Sequence, residues 1–449
     1  MKTRLGDIRD SFEGVIPSVI ATTGADGMPN ISYLSHVHYV DEQHVAVSNQ
    51  FFSKTAANVR DRGVATLMVV DGRTGRQHIL DLRFLRSTTG GELFERAASH
   101  LAVTSLSQGM GDVMKLRSLE IYEVIECRPV VPIASLAEPE ETEPPRDRLQ
   151  AAAQLCAAVA EREDAEAMLD CALEGVEKLF GFSNAVVLVP DGEGDKLSTI
   201  ASRGYPAFGI GSEVVVGEGT IGMAAALRRP LRICDMRRGQ RYAAAVQAEA
   251  MRSGSAVIPF PSLPQPRSQL AAPLASRGRL LGVLFVESEK AFAFSHRDEE
   301  ALSLVAGQLA TSLLLAERER SEGGASRWSE HRRPVPSERR VQIRYFPFDG
   351  SIFVEGDYVI RGLPGRLLQY FLSCYLETGR VDFSNREVRR APSLQLPAFK
   401  DNLETRLILL RRRLEERGGP IRLSRPDRGR IRLECEGVPE IEIAVADRG

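Results

Sequence analysis

The sequence has few cysteines, a single tryptophan and no long apolar run, and each shortage excludes a class of protein. Six cysteines in 449 residues, Cys127, Cys156, Cys171, Cys234, Cys374 and Cys435, stand apart with no CxxC and no Cys/His ligand spacing. Neither a disulfide framework nor a zinc site is expected, and buried reduced thiols are the default. No stretch approaches the roughly 18 apolar residues of a membrane span, and the N-terminal MKTRLGDIRDSFEG lacks the apolar segment of a secretory signal. A cytoplasmic protein is therefore expected. The formal net charge of −2 excludes a wholly basic protein. There is no internal repeat and no nucleophile-base constellation, so no catalytic residue and no metal centre is assigned.

What is present divides into three parts. A length of 449 residues suits about three domains. Two segments, 134–148 and 321–338, are rich in proline and charge and have nothing to bury, so they read as linkers. The second holds Trp328, a packing or docking residue. The segments between them are 1–133, 149–320 and 339–449.

The C-terminal segment concentrates positive charge. From Arg380 to Arg432 there are about 15 basic and about 7 acidic residues, a local excess of the kind that nucleic acid attracts. Between Pro397 and Arg417 the residues Leu403, Leu407, Leu410 and Leu414 fall on one helical stripe. The face opposite and beside it carries Asn402, Thr405, Arg406, Leu409, Arg412 and Arg413, which reads as an exposed surface of donors for bases and phosphates. Gly418, Gly419 and Pro420 stop the helix, and two alternating runs, Ile421 and Leu423, then Ile431 and Leu433, flank the turn Pro426 to Gly429 as a β-hairpin. Upstream, residues 363–378 read as one helix and Ser384 to Arg390 as a second, capped by Ser384 with Glu387 three residues on. Before them VQIRYFPFDGSIFVEGDYVI alternates like a small antiparallel sheet. Sheet, three helices and hairpin, over about Arg340 to Glu436, resemble the winged helix-turn-helix effector domain of response-regulator-type transcription factors. The resemblance implies an α+β winged helix in which Asn402, Thr405 and Arg406 read bases while Arg413, Arg425, Arg428 and Arg430 hold phosphates. The bland alternative is that these arginines solvate a helix and an edge hairpin. The link Ala391 to Leu396 is longer than a tight turn.

Residues 1–133 alternate with period two in six runs: VIPSVIATTG, ISYLSHVHYV, HVAVSNQ, ATLMVVDG, HILDLRFLRSTT and SLEIYEVIECRPV. Such a sheet is antiparallel and long enough to curl into a barrel. After the third run Ser53 can cap a short helix, with Lys54, Thr55 and Asn58 in its first turns. That start suits a phosphate, or is simply a capped helix with a solvated lysine. The segment resembles the pyridoxamine-phosphate-oxidase-like split barrels, which bind FMN at a dimer interface. The resemblance implies FMN contacts at Ser48, Asn49, Ser53, Lys54, Thr55 and Asn58. Ser32 stands near where flavin-binding relatives often place a phosphate-binding arginine. His36 and His38, on one strand face, are metal or haem ligands or ordinary polar residues.

Residues 149–320 open and close with helices around the strands NAVVLVPD, KLSTIASRG, SEVVVG, LRICD, SQLAAPLAS and RLLGVLFVES. Gly217 to Gly222 spell GxGxxG after a strand, but Pro230 stops the following helix after about two turns, too soon for a parallel crossover. The run GEGTIGMAAALRRPLRICDM, Tyr242, SQLAAPLASRGRLLGVLFVES and FSHRDEEALSLVAGQLA resemble a GAF domain. That resemblance implies an α/β sensor module with dimerising flanking helices and a small-molecule pocket under residues 237–269, or an empty spacer. Cys234 beside Asp235 is an attachment or redox residue, or part of the core. The expected whole is multidomain: a β split barrel, then an α/β GAF domain, then an α+β winged helix. It implies a homodimeric regulator of transcription, with DNA and a GAF ligand as partners, rather than an enzyme. The alternatives are an FMN-dependent oxidoreductase with regulatory GAF and C-terminal domains, and a scaffold whose C-terminal domain contacts protein.

Overall fold

The computed structural model describes residues 3–12, 16–34, 36–49, 54–107, 115–130, 147–192, 194–236, 258–322, 339–394, 403–426 and 429–444. Trp328, Tyr242 and most of the segment expected to cover a GAF pocket lie outside them.

The N-terminal unit is one antiparallel sheet. Its strands are β1 (Ser18–Thr23), β2 (Pro29–Leu34), β3 (Val37–Tyr39), β4 (His44–Asn49), β5 (Val64–Val70), β6 (Gln77–Thr88) and β7 (Ser118–Pro129), in the order β2-β1-β5-β6-β7-β4-β3. The run read as one strand, ISYLSHVHYV, is two. β2 and β3 lie at opposite ends of the strand order, yet Leu34 and Val37 are three residues apart, a reach of at most about 11 Å. The sheet must therefore curl until its edges nearly meet. Ile20, Val45, Leu67, Leu80 and Tyr122 fill the inside, and a 3₁₀ segment, Leu5–Phe12, closes one end with Leu5, Ile8 and Phe12. Helix α1 (Lys54–Arg62) and helix α2 (Glu92–Ser107) lie outside the barrel strands.

In the middle unit all six expected strands form. They are β8 (Asn184–Pro190), β9 (Lys196–Arg203), β10 (Glu213–Val215), β11 (Leu231–Ile233), β12 (Ser268–Ser276) and β13 (Arg279–Ser288), antiparallel in the order β10-β9-β8-β13-β12-β11. Strand alternation decides which layer each side chain joins. Val187, Val189, Leu284 and Val286 pack against α3 (Arg148–Ala160), α4 (Ala165–Gly175) and α6 (His296–Glu322). Their neighbours Val186, Leu188, Val283 and Phe285 face α5 (Gly219–Leu227). The antiparallel sheet and the nine-residue α5 agree with rejecting a dinucleotide fold at the GxGxxG run. Gly222 is there for space: a Cβ on it would stand 2.1 Å from the Val215 carbonyl oxygen.

The C-terminal unit has two small sheets around three helices. β14 (Arg340–Phe346), β15 (Ser351–Val354) and β16 (Asp357–Ile360) form a meander, and the last strand, β20 (Val438–Ile443), returns parallel to β14. Helix α7 (Gly362–Thr378) leads to β17 (Asp382–Ser384), α8 (Asn385–Arg390) and α9 (Leu403–Arg417). The hairpin β18 (Ile421–Ser424) and β19 (Arg430–Cys435) then pairs with β17 in the order β17-β19-β18. The expected cap is present: the Glu387 N–H donates to Ser384 Oγ at 3.3 Å. The Glu387 carboxylate is held by Arg380 rather than reaching back across the cap. Leu403, Leu407, Leu410, Leu414, Ile421, Leu423, Ile431 and Leu433 are all buried, as the periodicity predicts, and their core is continuous with that of the middle unit.

Candidate functional site

Helix α9 corrects one expectation directly. The face read as exposed is covered: Leu409 keeps 2% of its surface and Arg406 5%, and Ile408 is buried as well. What covers it is the middle unit. Arg406 donates to the Pro190 carbonyl at 2.5 Å, Arg411 pairs with Glu166, and Arg412 pairs with Glu166 at 2.9 Å and with Asp170 at 2.7 Å. In return Glu416 accepts the N–H groups of Gly209 and Ile210 at 2.8 and 3.2 Å. Arg425 of the hairpin reaches Glu404 and, at 3.3 Å, Asp164, the residue that caps α4. Glu166 and Asp170 are one helical turn apart on α4, so together they present a double negative charge to the arginine run. Alongside, Arg361 pairs with Glu213.

Arg413 is turned the other way, donating to the Val359 carbonyl at 2.8 Å and pairing with Glu416, so it braces its own unit. Thr405 and Arg430 are half-buried. Asn402 and Arg428 lie outside the described residues. The arginine-rich face is thus assembled as one surface from α9 and the hairpin, but it is a surface already engaged.

At the barrel, Ser53 lies outside the described residues, and three of its neighbours spend their polar atoms inside the fold. Ser48 Oγ donates to the His36 carbonyl at 3.0 Å, Thr55 accepts from Asn30 and is 2.7 Å from Ser32 Oγ, and Asn58 donates to Thr22 at 3.1 Å. Lys54 is exposed at the start of α1, and Asn49 makes only a 3.5 Å contact with Glu120. A flavin phosphate would meet Lys54, Asn49 and the N-terminus of α1, a short set of donors.

In the middle unit a polar cluster interrupts the apolar face of α5. Thr220 donates to Gln269 at 2.7 Å, Gln269 to Glu287 at 3.3 Å, and the Leu263 N–H to Glu287 at 2.7 Å. Burial raises the Glu287 carboxyl above the ordinary range; burial and then the Glu287 charge raise the Tyr205 phenol. The groups of this cluster satisfy one another. Alternating patterns could not reveal it, because Gln269 and Glu287 sit at strand ends. Cys234 is buried and contacts Arg232 at 3.2 Å, while Asp235 pairs with Arg267, so the core alternative holds for this cysteine's placement.

The barrel meets the middle unit through charges. Arg232 of β11, with 2% of its side chain exposed, lies 3.2 Å from Glu299 and 3.7 Å from Asp10, and it donates to the Phe294 carbonyl at 3.1 Å. Asp10 also accepts from the His296 N–H and contacts His296 Nδ1, both at 3.0 Å. Burial alone would raise the Asp10 carboxyl, but the His296 hydrogen bonds and charge, with Arg232 behind, outweigh it and hold it at about 2. A carboxylate depressed in the folded state adds stability above its unfolded value, near pH 4, and loses it as pH falls through about 2. This joint is therefore expected to weaken by about 2 kcal/mol between pH 4 and pH 2. Acid titration followed by proteolysis at the barrel–middle boundary checks it; Asp10→Asn should abolish that pH step.

His36 lies just before β3 and His38 within it, and their rings stack with centroids 6.1 Å apart. His100, from α2, completes a group the sequence did not suggest, 5.2 Å from His36 and 6.1 Å from His38. Burial, then the neighbouring His100, lowers His36 to about 3 and His38 well below its ordinary value, so these rings are neutral.

Among curated proteins none matches the chain. Three solved structures similar to parts of it are an FMN-binding protein from Syntrophomonas wolfei, a free methionine-R-sulfoxide reductase from Neisseria meningitidis with its substrate, and the GAF domain of a phosphoenolpyruvate-protein phosphotransferase from Coxiella burnetii. The first is 16% identical, covering 28% of this chain and 87% of its own, with a TM-score of 0.24. The second is 23% identical, covering 38% and 90%, with a TM-score of 0.30, and the third 16% identical, covering 39% and 97%, with a TM-score of 0.31. Residues 7–116 match the family model described as pyridoxamine 5'-phosphate oxidase, and residues 164–313 match that of the GAF domain. The chain therefore joins a split barrel of the pyridoxamine-phosphate-oxidase type to a GAF domain.

Proposed function

We propose that the chain is a ligand-responsive transcription regulator, acting in the cytoplasm as a homodimer, whose C-terminal unit is a winged helix that binds DNA. The observation that carries this reading is the basic surface of α9 and the β18–β19 hairpin held against acids of the GAF domain. A helix whose Arg406, Arg411 and Arg412 all reach the middle unit, followed at once by an arginine-bearing hairpin, has the parts for a major-groove reader and its phosphate clamp. Glu166, Asp170 and Asp164 take the places that phosphates would occupy. The GAF domain thereby holds the reader closed, and a ligand at the Thr220–Gln269–Glu287 cluster is the signal that opens it. Support for two chains comes from Leu149, Leu304 and Leu315, exposed by 70%, 54% and 56% on α3 and α6, the last two three helical turns apart on one side. FMN at Asn49 and Lys54 would be a second input; if it were instead a catalytic cofactor, the protein would turn over a reduced nicotinamide.

The test is selection of random duplex DNA by the full-length protein at two salt concentrations. Enrichment of a repeated half-site whose binding weakens steeply with salt is the expected result. Absence of retention at low salt, both alone and with the α9–GAF contact weakened by mutation, overturns the reading.

A further inference from the structure

We propose that His36, His38 and His100 form a binding site for one divalent transition-metal ion, with three imidazole ligands and a fourth position open toward the pocket between barrel and GAF domain. The site is independent of DNA binding. Its first support is the cost of the group as it stands. Both ring nitrogens of His36 and Nε2 of His38 are wholly enclosed and have no hydrogen-bond partner. A buried polar atom without a partner forfeits roughly 1–3 kcal/mol, so several together in one spot call for a ligand that accepts their lone pairs. A metal ion would take one lone pair from each ring, and the remaining N–H of His36 would still need an acceptor such as a water.

The second support is arrangement. Two histidines at i and i+2, one just before β3 and one within it, with a third from α2, make a ligand set that leaves a tetrahedral ion one free position. Three imidazoles at about 2.0–2.1 Å from one ion hold their ring centroids roughly 5 Å apart. The centroids here are 5.2, 6.1 and 6.1 Å apart. The set is open rather than closed, and among the described residues no three ligands already converge on a point. Closing it takes less than about an ångström of movement and a turn of each ring about χ2, a torsion with broad, shallow preferences. His36 and His38 lie nearly parallel at 11°, and His100 stands edge-on to both at 87° and 86°, so the turn is chiefly theirs.

The third is access. His38 and His100 line a pocket together with Ser99, Arg96, Leu231 and Arg232. Arg9 and Arg229 line it too, and each of the four arginines has a carboxylate partner, Arg96 and Arg232 sharing Glu299, Arg9 pairing with Glu300 and Arg229 with Glu92, which offsets their repulsion of a cation. They also favour an anion, such as hydroxide or a small carboxylate, in the fourth position. Imidazole donors without thiolate suit zinc, copper, nickel or cobalt and not magnesium or calcium. A metal here would tie β3 and α2 of the barrel together at the edge that meets the GAF domain.

The experiment strips the full-length protein with a chelator and titrates it with Co²⁺. One ion per chain is expected, with the intense visible absorption of four-coordinate cobalt. His36→Gln, His38→Gln and His100→Gln should each weaken binding at least tenfold, whereas His78→Gln, a buried histidine on β6, should leave it unchanged. The spectrum of the parent decides the matter even where a variant fails to fold. No binding at one equivalent, a weak six-coordinate spectrum, or affinity unchanged in folded variants of the triad would each overturn the proposal.

Discussion

Glu166→Gln combined with Asp170→Asn is expected to raise the affinity of the full-length protein for DNA by about tenfold to a hundredfold. The two acids hold Arg411 and Arg412, and on the proposed reading these arginines meet phosphates only once released. If the reader is free in only a fraction of molecules, the apparent dissociation constant is the intrinsic one divided by that fraction. Glu166 and Arg412 expose only 13% and 12% of their side chains, so their pairing is screened less than a surface bridge, while Asp170, at 63%, contributes little. Loss of about 1.4–2.8 kcal/mol from the closed state gives the stated range. The salt slope should stay the same, since the phosphates contacted do not change. Filter binding or fluorescence anisotropy at several salt concentrations reads both quantities. Equal affinity in parent and variant would show that the docked helix does not compete with DNA.

That docking explains where the sequence was informative and where it was not. The stripe Leu403, Leu407, Leu410 and Leu414 was legible because a period of 3.6 is a local property, and all four residues are buried. The opposite face was read as solvated because arginines usually are, yet Ile408 and Leu409 interrupt the charged run and are buried too. Two aliphatic residues among arginines are the signal that a second surface covers the helix. The acids that cover it lie about 245 residues away, and no periodicity links positions so distant. The same limit applies to the barrel. Alternation located every strand but could not show that ISYLSHVHYV breaks between Leu34 and Val37, because the break comes from curling the sheet and not from any turn residue. His100 was invisible for the same reason: α2 brings it to His36 and His38 only once the barrel has formed. The polar atoms of Thr55 and Asn58 could be read as ligand groups or as internal bonds from sequence, and the strands that take them, β1 and β2, were in view without their register.

Arg232→Met should destabilise the protein by about 3–5 kcal/mol, far more than loss of an exposed arginine. The aliphatic replacement keeps most of the volume, so the effect isolates charge. Without the guanidinium the enclosed Glu299 loses its nearer arginine, with Arg96 3.8 Å away, and the Phe294 carbonyl loses its donor, and removing one partner of a buried group costs about that much. Arg83→Met, which breaks an exposed pair with Glu123, should stay within about 0.5 kcal/mol. The deficit should also depend on pH. Without Arg232 beside it, Asp10 loses one of the interactions that keep its carboxyl low, so it takes up a proton more easily, and the variant should approach the parent as pH falls below 4. Thermal melts at pH 7 and about pH 2.5 measure the two deficits. A similar loss in Arg232→Met and Arg83→Met would mean that the joint is not an interdependent network. A large loss at neutral pH that shrinks in acid would establish that the barrel and the GAF domain are held together by charge.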